Sequence, residues 1–189
     1  MRSLDLHVAL PDWVDGTVPW DRSFSTDDDR MALAVELARG NVAHGSGGPF
    51  GAAIFDETTG LPVAVGVNLV ERLSNAVLHA EIVALMLAQQ ALGHYSLGGA
   101  DRPAHALATS CDPCAMCLGA TLWSGVRRLV CGASREDAVE IGFDEGPVFA
   151  ESYRYLRERG VTVVRGVLRQ EAAAVLRAYH GARGTIYNG

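Results

Sequence analysis

Four side chains in this sequence have the types and spacing that metal chemistry requires. They are His79 and Glu81 in the run His-Ala-Glu, and Cys114 and Cys117 in the run Pro-Cys-Ala-Met-Cys. One imidazole and two thiolates are typical zinc ligands, and three protein ligands leave a tetrahedral zinc ion with one open position, as in catalytic sites. Water bound at that position loses a proton near neutral pH and becomes a nucleophile. The sequence therefore predicts a catalytic zinc site formed by His79, Cys114 and Cys117.

Glu81 lies close to the predicted metal in sequence but is not needed as a ligand. A zinc-activated hydroxide can attack a ring carbon that carries an exocyclic amine, and the leaving amine and the ring nitrogen then both need protons. A carboxylate beside the metal can take the proton of the water and deliver it onward. We therefore predict that Glu81 is the proton shuttle of a hydrolytic deamination.

The local sequence favours helices that position these residues. Residues 79–92 contain no glycine, proline or aromatic residue, which predicts a helix with His79 and Glu81 in its first turn. The positive end of a helix dipole favours an anion such as Glu81. Cys114 and Cys117 are spaced to project from one face of a second helix, and Pro113 suits the entrance to that helix.

Two other interpretations of the cysteines stay open from the sequence. A structural zinc site would need a fourth ligand, which Cys111 or Cys131 could supply. A redox pair would use only the two cysteines of the C-x-x-C motif and would leave His79 and Glu81 unexplained. Cys111 and Cys131 are instead interpreted as small buried hydrophobic residues, because they follow or lie within apolar runs.

Composition limits the class of protein. The chain has 189 residues, of which 49% are hydrophobic, which predicts one domain with a substantial core. No apolar run reaches transmembrane length and no secretory signal is recognised, so we expect no membrane partner. Four cysteines, two of them explained as ligands, predict a cytoplasmic location rather than a disulfide framework.

The basic residues are also informative, because all of them are arginine and the chain has no lysine. Schiff-base chemistry, pyridoxal phosphate enzymes and the P-loop lysine are therefore excluded. The formal net charge is −6 at pH 7, which disfavours binding to a phosphate backbone, so we expect no nucleic-acid partner.

Helices and strands alternate along the predicted chain. After an extended surface arm (1–25), the predicted elements are a helix at 26–43, strands at 50–56 and 62–69 joined as a hairpin, a helix at 79–92, a strand at 104–110, a helix from 114, a strand at 127–132, helices at 134–139 and 150–159, a strand at 161–166 and a helix at 168–182. This order predicts an α/β fold, a three-layer α/β/α sandwich with a five-stranded mixed sheet.

The motifs carry a family resemblance that covers most of the chain. His-x-Glu followed by Pro-Cys-x-x-Cys is the signature of zinc deaminases that act on nucleobases. The chain resembles the cytidine deaminase superfamily and, within it, the bacterial guanine deaminases. The residues that carry the resemblance to this branch lie at 47–54, 79–81, 109–120, 123–125, 141–147 and 186–188. Asp112 departs from the glutamate that is more common before the Pro-Cys pair.

The resemblance implies roles for several further residues. Asn68 matches an asparagine whose side-chain amide holds the purine, with a turn asparagine after the second strand as the alternative. Glu145 matches a second acid that faces the guanine edge and helps to protonate the leaving amine. The alternative is that Glu145 is a solvated acid in a surface loop. Tyr187 matches an aromatic residue that closes the pocket, contributed by the partner subunit in this family. Phe143 is expected in the pocket wall, whereas Phe50 and Trp123 are expected in the core.

The resemblance implies a zinc-dependent deamination of guanine to xanthine and ammonia by a cytidine deaminase-like domain (26–182). A C-terminal tail (183–189) would close a pocket of the partner subunit in a homodimer. The alternatives are another small amino-heterocycle (cytosine, an amino-triazine such as ammeline, or a guanosine or cytidine nucleoside), a tRNA adenosine deaminase and a non-catalytic zinc protein. The acidic, lysine-free composition disfavours the tRNA enzyme.

Overall fold

The core of the molecule is one mixed sheet of five strands. The computed structural model describes residues 5–188. Its strands are β1 (Gly51–Asp56), β2 (Pro62–Val67), β3 (His105–Cys111), β4 (Arg128–Ala133) and β5 (Thr162–Arg165). They lie in the order β2-β1-β3-β4-β5. β1 runs antiparallel to both of its neighbours, and β3, β4 and β5 run parallel to each other.

Helices cover both faces of this sheet. They are α1 (Trp13–Thr17), α2 (Asp27–Ala43), α3 (Val70–Leu73), α4 (Ala80–Leu92), α5 (Ala115–Ser124), α6 (Arg135–Glu140), α7 (Ala150–Glu158) and α8 (Arg169–Gly181). Ile54 and Phe55 are neighbours on β1 and belong to opposite apolar clusters, because successive side chains of a strand point to opposite faces. Residues of α2 and α8 complete one cluster, and residues of α4, α5 and α7 complete the other. The predicted three-layer sandwich with five strands is confirmed.

Local signals set the ends of several elements. Thr26 is the N-cap of α2 and accepts a hydrogen bond from the backbone N of Asp29, as the acidic first turn predicts. Asp56 accepts hydrogen bonds from the backbone N of Thr58 and of Thr59, which forms the turn of the predicted β1–β2 hairpin.

Close packing between α4 and β2 fixes the helix that carries Glu81. A Cβ atom added at Gly66 on β2 would lie 2.2 Å from the carbonyl oxygen of Ala80 and 2.6 Å from the backbone N of Ala84. Only glycine permits the backbones of helix and strand to approach this closely. The first turn of α4 is therefore held against the sheet by main-chain contact.

Some expectations from the sequence are wrong. The arm is not simply extended, because α1 lies within it and Val14 and Val18 are buried in the core; residues 1–4 of the arm lie outside the described residues. Trp123, expected in the core, is 80% exposed. The short helix α3 was not predicted. None of the helices within residues 5–188 combines the length and the apolar character that a membrane span needs.

Candidate active site

The three predicted zinc ligands lie together where two helices begin. His79 is the N-cap of α4 and Cys114 is the N-cap of α5, so His79 precedes the helix rather than lying in its first turn. The ligand atoms of His79, Cys114 and Cys117 all lie within 4.8 Å of one another. The Nδ1 atom of His79 is 3.5 Å from the Sγ atom of Cys114. Two helix N-termini thus converge on one point, where their dipoles favour thiolate charge.

The charge state of these ligands fits a divalent cation. Hydrogen bonds from Cys117 and His79 outweigh burial and hold the pKa of the Cys114 thiol at about 4, whereas the hydrogen bond to Cys114 and burial raise the pKa of Cys117. Burial lowers the pKa of His79, but Cys114 and the carboxylates of Glu81 and Glu145 outweigh it and raise that pKa. Cysteine ligands bind zinc as thiolates, so the low pKa of Cys114 favours metal binding by this cluster. The donor set fits zinc.

The other two cysteines do not join the ligand cluster. Among residues 5–188, the group that could hold a metal consists of His79, Cys114 and Cys117. Cys111 and Cys131 are buried free thiols, and burial raises the pKa of both. Their interpretation as small hydrophobic residues is confirmed, and no fourth protein ligand supports a structural site.

A small cavity adjoins the ligand cluster and contains two carboxyl groups. It has a volume of about 10 Å³, roughly the space for one water molecule. Its lining residues are Phe50, His79, Glu81, Cys111, Asp112, Cys114, Glu145, Tyr187 and Asn188. Burial and the charge of Cys114 raise the pKa of Glu81. Burial, followed by the charges of Cys114 and Glu81, raises the pKa of Glu145 to about 8. Burial therefore favours the protonated form of both carboxyl groups beside the metal ligands, and for Glu145 this form persists near neutral pH.

Asn68 lies at the end of β2 with its side chain fully buried. Its backbone N donates to the carbonyl oxygen of Phe50, which lines the cavity. Its Oδ1 atom accepts a hydrogen bond from the backbone N of Val70, but its Nδ2 atom has no partner. A buried amide donor without a partner is costly. Asn68 is not among the residues that line the cavity, so its role in holding a base stays a prediction.

Phe143 lies behind the cavity rather than on its surface. Its ring packs against Phe50 with centroids 5.1 Å apart and against Tyr187 with centroids 5.0 Å apart. Phe143 is almost fully buried within the core cluster on the α2 and α8 face of the sheet. It therefore supports two residues that line the cavity.

The C-terminal tail lies across the site of its own chain. The ring of Tyr187 meets the imidazole of His79 edge-on at a centroid distance of 6.4 Å. Asn188 accepts a hydrogen bond from the backbone N of Asp144, and its Nδ2 atom donates to the carbonyl oxygen of the same residue. Exchange of this tail between subunits stays a prediction, and Gly189 lies outside the described residues.

Two residues, Asp112 and Asn41, support the site in ways that the sequence did not indicate. Asp112 is buried and accepts hydrogen bonds from the Arg165 side chain and from the backbone N of Arg135. Asn41 donates from its Nδ2 atom to the carbonyl oxygens of Gly48 and Asn68. A signal for Asn41 exists in the sequence, because it falls on the apolar face of α2 at helical spacing.

Comparison with known proteins places this geometry in a family. Residues 24–133 match the model for the cytidine and deoxycytidylate deaminase zinc-binding region. The guanine deaminase of Bacillus subtilis is 38% identical over 131 residues, which cover 69% of this chain and 80% of that protein. The tRNA-specific adenosine deaminase of Haemophilus influenzae is 32% identical over 162 residues, which cover 83% of this chain and 84% of that protein.

Solved structures share both the fold and much of the sequence. The guanine deaminase from Nitrosomonas europaea superposes with a TM-score of 0.90 at 42% identity, over 96% of this chain and 99% of that one. A complex with 2,6-diaminopurine superposes with a TM-score of 0.89 at 44% identity, over 96% of each chain. The zinc-ligand cluster, the sheet topology and these matches agree, and the chain belongs to the cytidine and deoxycytidylate deaminase family of zinc-binding proteins.

Proposed function

We propose that this protein catalyses the hydrolytic deamination of guanine to xanthine and ammonia. The observation that carries the proposal is the joint placement of a three-residue zinc-ligand cluster and two buried carboxyl groups, Glu81 and Glu145, around one cavity. The guanine deaminases of Bacillus subtilis and Nitrosomonas europaea are among the relatives, and other solved structures of this fold contain 8-azaguanine or 2,6-diaminopurine.

His79, Cys114 and Cys117 would hold the zinc ion, which when bound activates water as a nucleophile. Water adds at C2 of guanine and the amine at C2 departs as ammonia, so the atoms balance as guanine plus water to xanthine plus ammonia. Glu81 accepts a first proton from the water and delivers it to the ring nitrogen; it then transfers the second proton, from the hydroxyl group added at C2, to the leaving amine. Its burial beside the ligands supports this role, because desolvation raises the pKa of a carboxyl group and so favours the uptake of a proton.

Glu145 is proposed as the second acid of the site. Guanine presents two donors on one edge, the N1–H and the amino group, and a carboxylate is their natural acceptor. Glu145 is only 6% exposed and lines the same cavity as Glu81 and Cys114, which supports a role at the substrate rather than in solvent. From this position it can also help to protonate the leaving amine.

Asn68, Phe143 and Tyr187 are proposed to bind the base. The unpartnered Nδ2 donor of Asn68 suits an acceptor of the purine ring. Phe143 would hold the aromatic wall in place from behind, and Tyr187 would cover the ring face. Because a purine is much larger than the present cavity of about 10 Å³, the tail that carries Tyr187 must move when the base enters.

We also propose that the protein acts as a cytoplasmic homodimer. Two grooves of about 490 Å³ and 370 Å³ lie on the outer side of α4, α5 and α7, away from the ligand cluster. Trp123 and Tyr95 line the smaller groove and are 80% and 91% exposed. Large exposed aromatic side chains beside apolar grooves are typical of protein interfaces. The free thiols and the net charge of −6 support a reducing compartment and a small-molecule substrate.

Ammonia release from a panel of substrates tests the proposal. Zinc-loaded protein is incubated with guanine, guanosine, cytosine, cytidine, adenine and ammeline, and the zinc content is measured in parallel. We expect ammonia from guanine at a kcat/KM above that for every other compound. A higher kcat/KM for ammeline or for a pyrimidine would show that guanine is not the preferred substrate. Bound zinc without ammonia release from any compound would support a non-catalytic zinc protein. Sedimentation of the same sample reports the oligomeric state.

A further inference from the structure

The loop between α6 and α7 has to place the carboxyl group of Glu145. Burial and the charges of Cys114 and Glu81 dominate the surroundings of that carboxyl group. Its position in the cavity depends on the backbone of the loop between α6 and α7 that carries it. Whatever holds the peptide units on either side of Glu145 controls where the acid points in the cavity.

Two hydrogen-bonded contacts hold the main chain of the loop, one at Glu145 itself and one at Asp144, the residue before it. The carbonyl oxygen of Glu145 accepts a hydrogen bond from the backbone N of Ala115, the first residue of α5, at 3.0 Å. The backbone of Asp144 is bonded to Asn188 in the C-terminal tail. Only the first of these anchors belongs to the body of the domain. Within the loop, the Asp144 side chain also accepts a hydrogen bond from the backbone N of Gly146 at 2.8 Å.

Arg135 supplies the anchor on the C-terminal side. Its Nη2 atom donates to the carbonyl oxygen of Gly146 at 3.2 Å. Gly146 has a φ of +67°, in the left-handed region, so the chain turns sharply directly after Glu145. The carbonyl oxygen of Gly146 also accepts from the backbone N of Val148 at 2.9 Å. The Arg135 bond ties this turn to α6, while the Ala115 bond holds the peptide unit between Glu145 and Gly146.

The backbone of Arg135 is also held in place. Arg135 is the first residue of α6, and its backbone N donates to the Oδ2 atom of Asp112 at 3.2 Å. The Asp112 side chain is 1% exposed and also binds the guanidinium group of Arg165. Asp112 precedes the Pro113-Cys114 pair, so the same carboxylate ties Arg135 to the segment that carries a zinc ligand.

The burial of Arg135 is not explained by packing alone. Its Nε atom is buried and has no hydrogen-bond partner. An arginine that only filled space would leave a charged donor without water at a cost that an apolar side chain would avoid. A guanidinium group is nevertheless useful here, because its positive charge lies near a site that collects several negative charges.

We propose that Arg135 is a positioning residue that sets the direction of the Glu145 carboxyl group through its bond to Gly146. The inference rests on the proposed role of Glu145 in guanine deamination. Arg135 does not touch the substrate, and it acts by fixing the turn that follows the acid and by adding positive charge beside it.

A double-mutant cycle with crystal structures tests this inference. Arg135→Gln should keep the wild-type zinc content and lower kcat/KM for guanine by about 10- to 100-fold, as expected for loss of a charge-assisted hydrogen bond. Its crystal structure should show a displaced Glu145 side chain and unmoved zinc ligands. In a Glu145→Gln background the same change should cost less than about 2-fold, because the residue through which it acts is already impaired.

Two further variants separate positioning from general stability. Arg169→Gln is the matched control, since Arg169 also binds α6 through Asp137 but makes no bond to the Glu145 loop; it should leave kcat/KM within about 2-fold of wild type. Arg135→Lys should restore part of the lost activity, and it serves as the test variant if the glutamine variant does not fold. Equal losses in both backgrounds, or an undisplaced Glu145 in the crystal, would overturn the inference. Wild-type turnover by Glu145→Gln alone would instead refute the proposed function of that acid.

Discussion

A single methyl group at Gly66 should disturb both the stability and the activity of this protein. The Cβ atom of an alanine there would lie 2.2 Å from the carbonyl oxygen of Ala80 and 2.6 Å from the backbone N of Ala84. Both contacts are with the main chain of α4, so no side-chain rotation relieves them. Ordinary van der Waals contact begins near 3.4 Å, and α4 would therefore have to move away from β2 by about 1 Å.

The size of the effect follows from this displacement. Overpacking a core costs about 1–3 kcal/mol, and for a chain of this length each kcal/mol lowers Tm by about 2–4 °C. Gly66→Ala should thus melt about 2–12 °C below the wild type. Glu81 is the second residue of the displaced helix. Because a 1 Å misplacement at a reacting centre costs up to about 100-fold, kcat/KM for guanine should fall by about 10- to 100-fold.

Calorimetry of the zinc-loaded protein and the ammonia assay measure the two effects. Gly181→Ala is the matched control, because it makes the same chemical change at the end of α8, where a Cβ atom meets nothing within 4 Å. We expect the control to melt within about 2 °C of the wild type and to turn over normally. If Gly66→Ala instead behaves like the control, the contact between β2 and α4 is not rigid and the reasoning fails.

Three further changes test separate parts of the structure. Glu81→Gln should keep its zinc, measured by metal analysis, and lose about 10²- to 10⁴-fold in turnover, since it removes the proton shuttle; loss of zinc would reveal a ligand role instead. Asn68→Ala should raise KM for guanine by about 10-fold in steady-state kinetics, because it removes the free amide donor; an unchanged KM would exclude contact with the base. The hydrogen bond from Arg169 holds the pKa of Asp137 at about 2, below its ordinary value of 3.8. This ion pair therefore stabilises the fold fully above pH 3.8, and the stabilisation is lost as the pH falls towards 2. The Tm of Asp137→Asn should therefore fall less than the Tm of the wild type between pH 3.8 and 2. Parallel plots of Tm against pH for the two proteins would contradict this expectation.

The parts of the fold that depend on local signals were predictable from the sequence. The N-cap at Thr26 and the turn after β1 are each set by residues close in the chain, and the structure places both as predicted. The element α1 was not predicted because it has only five residues and depends on tertiary contact, with Val14 buried in the core and the Trp13 indole packed over Gly40. The exposure of Trp123 was missed because hydrophobicity alone does not tell a buried position from an exposed one.

The site likewise combines features set by local sequence with features set by packing between distant segments. The zinc ligands lie in two short motifs, and helix spacing was sufficient to place Cys114 and Cys117 together. The support of Asp112 by Arg165 was not predictable, because it joins the end of β3 to β5 across 53 positions of sequence. The bond between Arg135 and Gly146 likewise depends on how two helices and a loop pack, for which the sequence carries no periodic signal.

The two halves of the site are held rigidly, whereas the tail that covers them is held weakly. Main-chain packing at Gly66 fixes the helix of Glu81, and the hydrogen bond from Ala115 fixes the peptide of Glu145 beside Cys114. In contrast, the Oη atom of Tyr187 and the Oδ1 atom of Asn188 are buried without hydrogen-bond partners. Buried polar groups without partners oppose the closed arrangement by about 1–3 kcal/mol each. Movement of the tail is therefore the least costly route for a base to reach the cavity, because separating α4 from α5 would break the packing that aligns the zinc ligands with both acids.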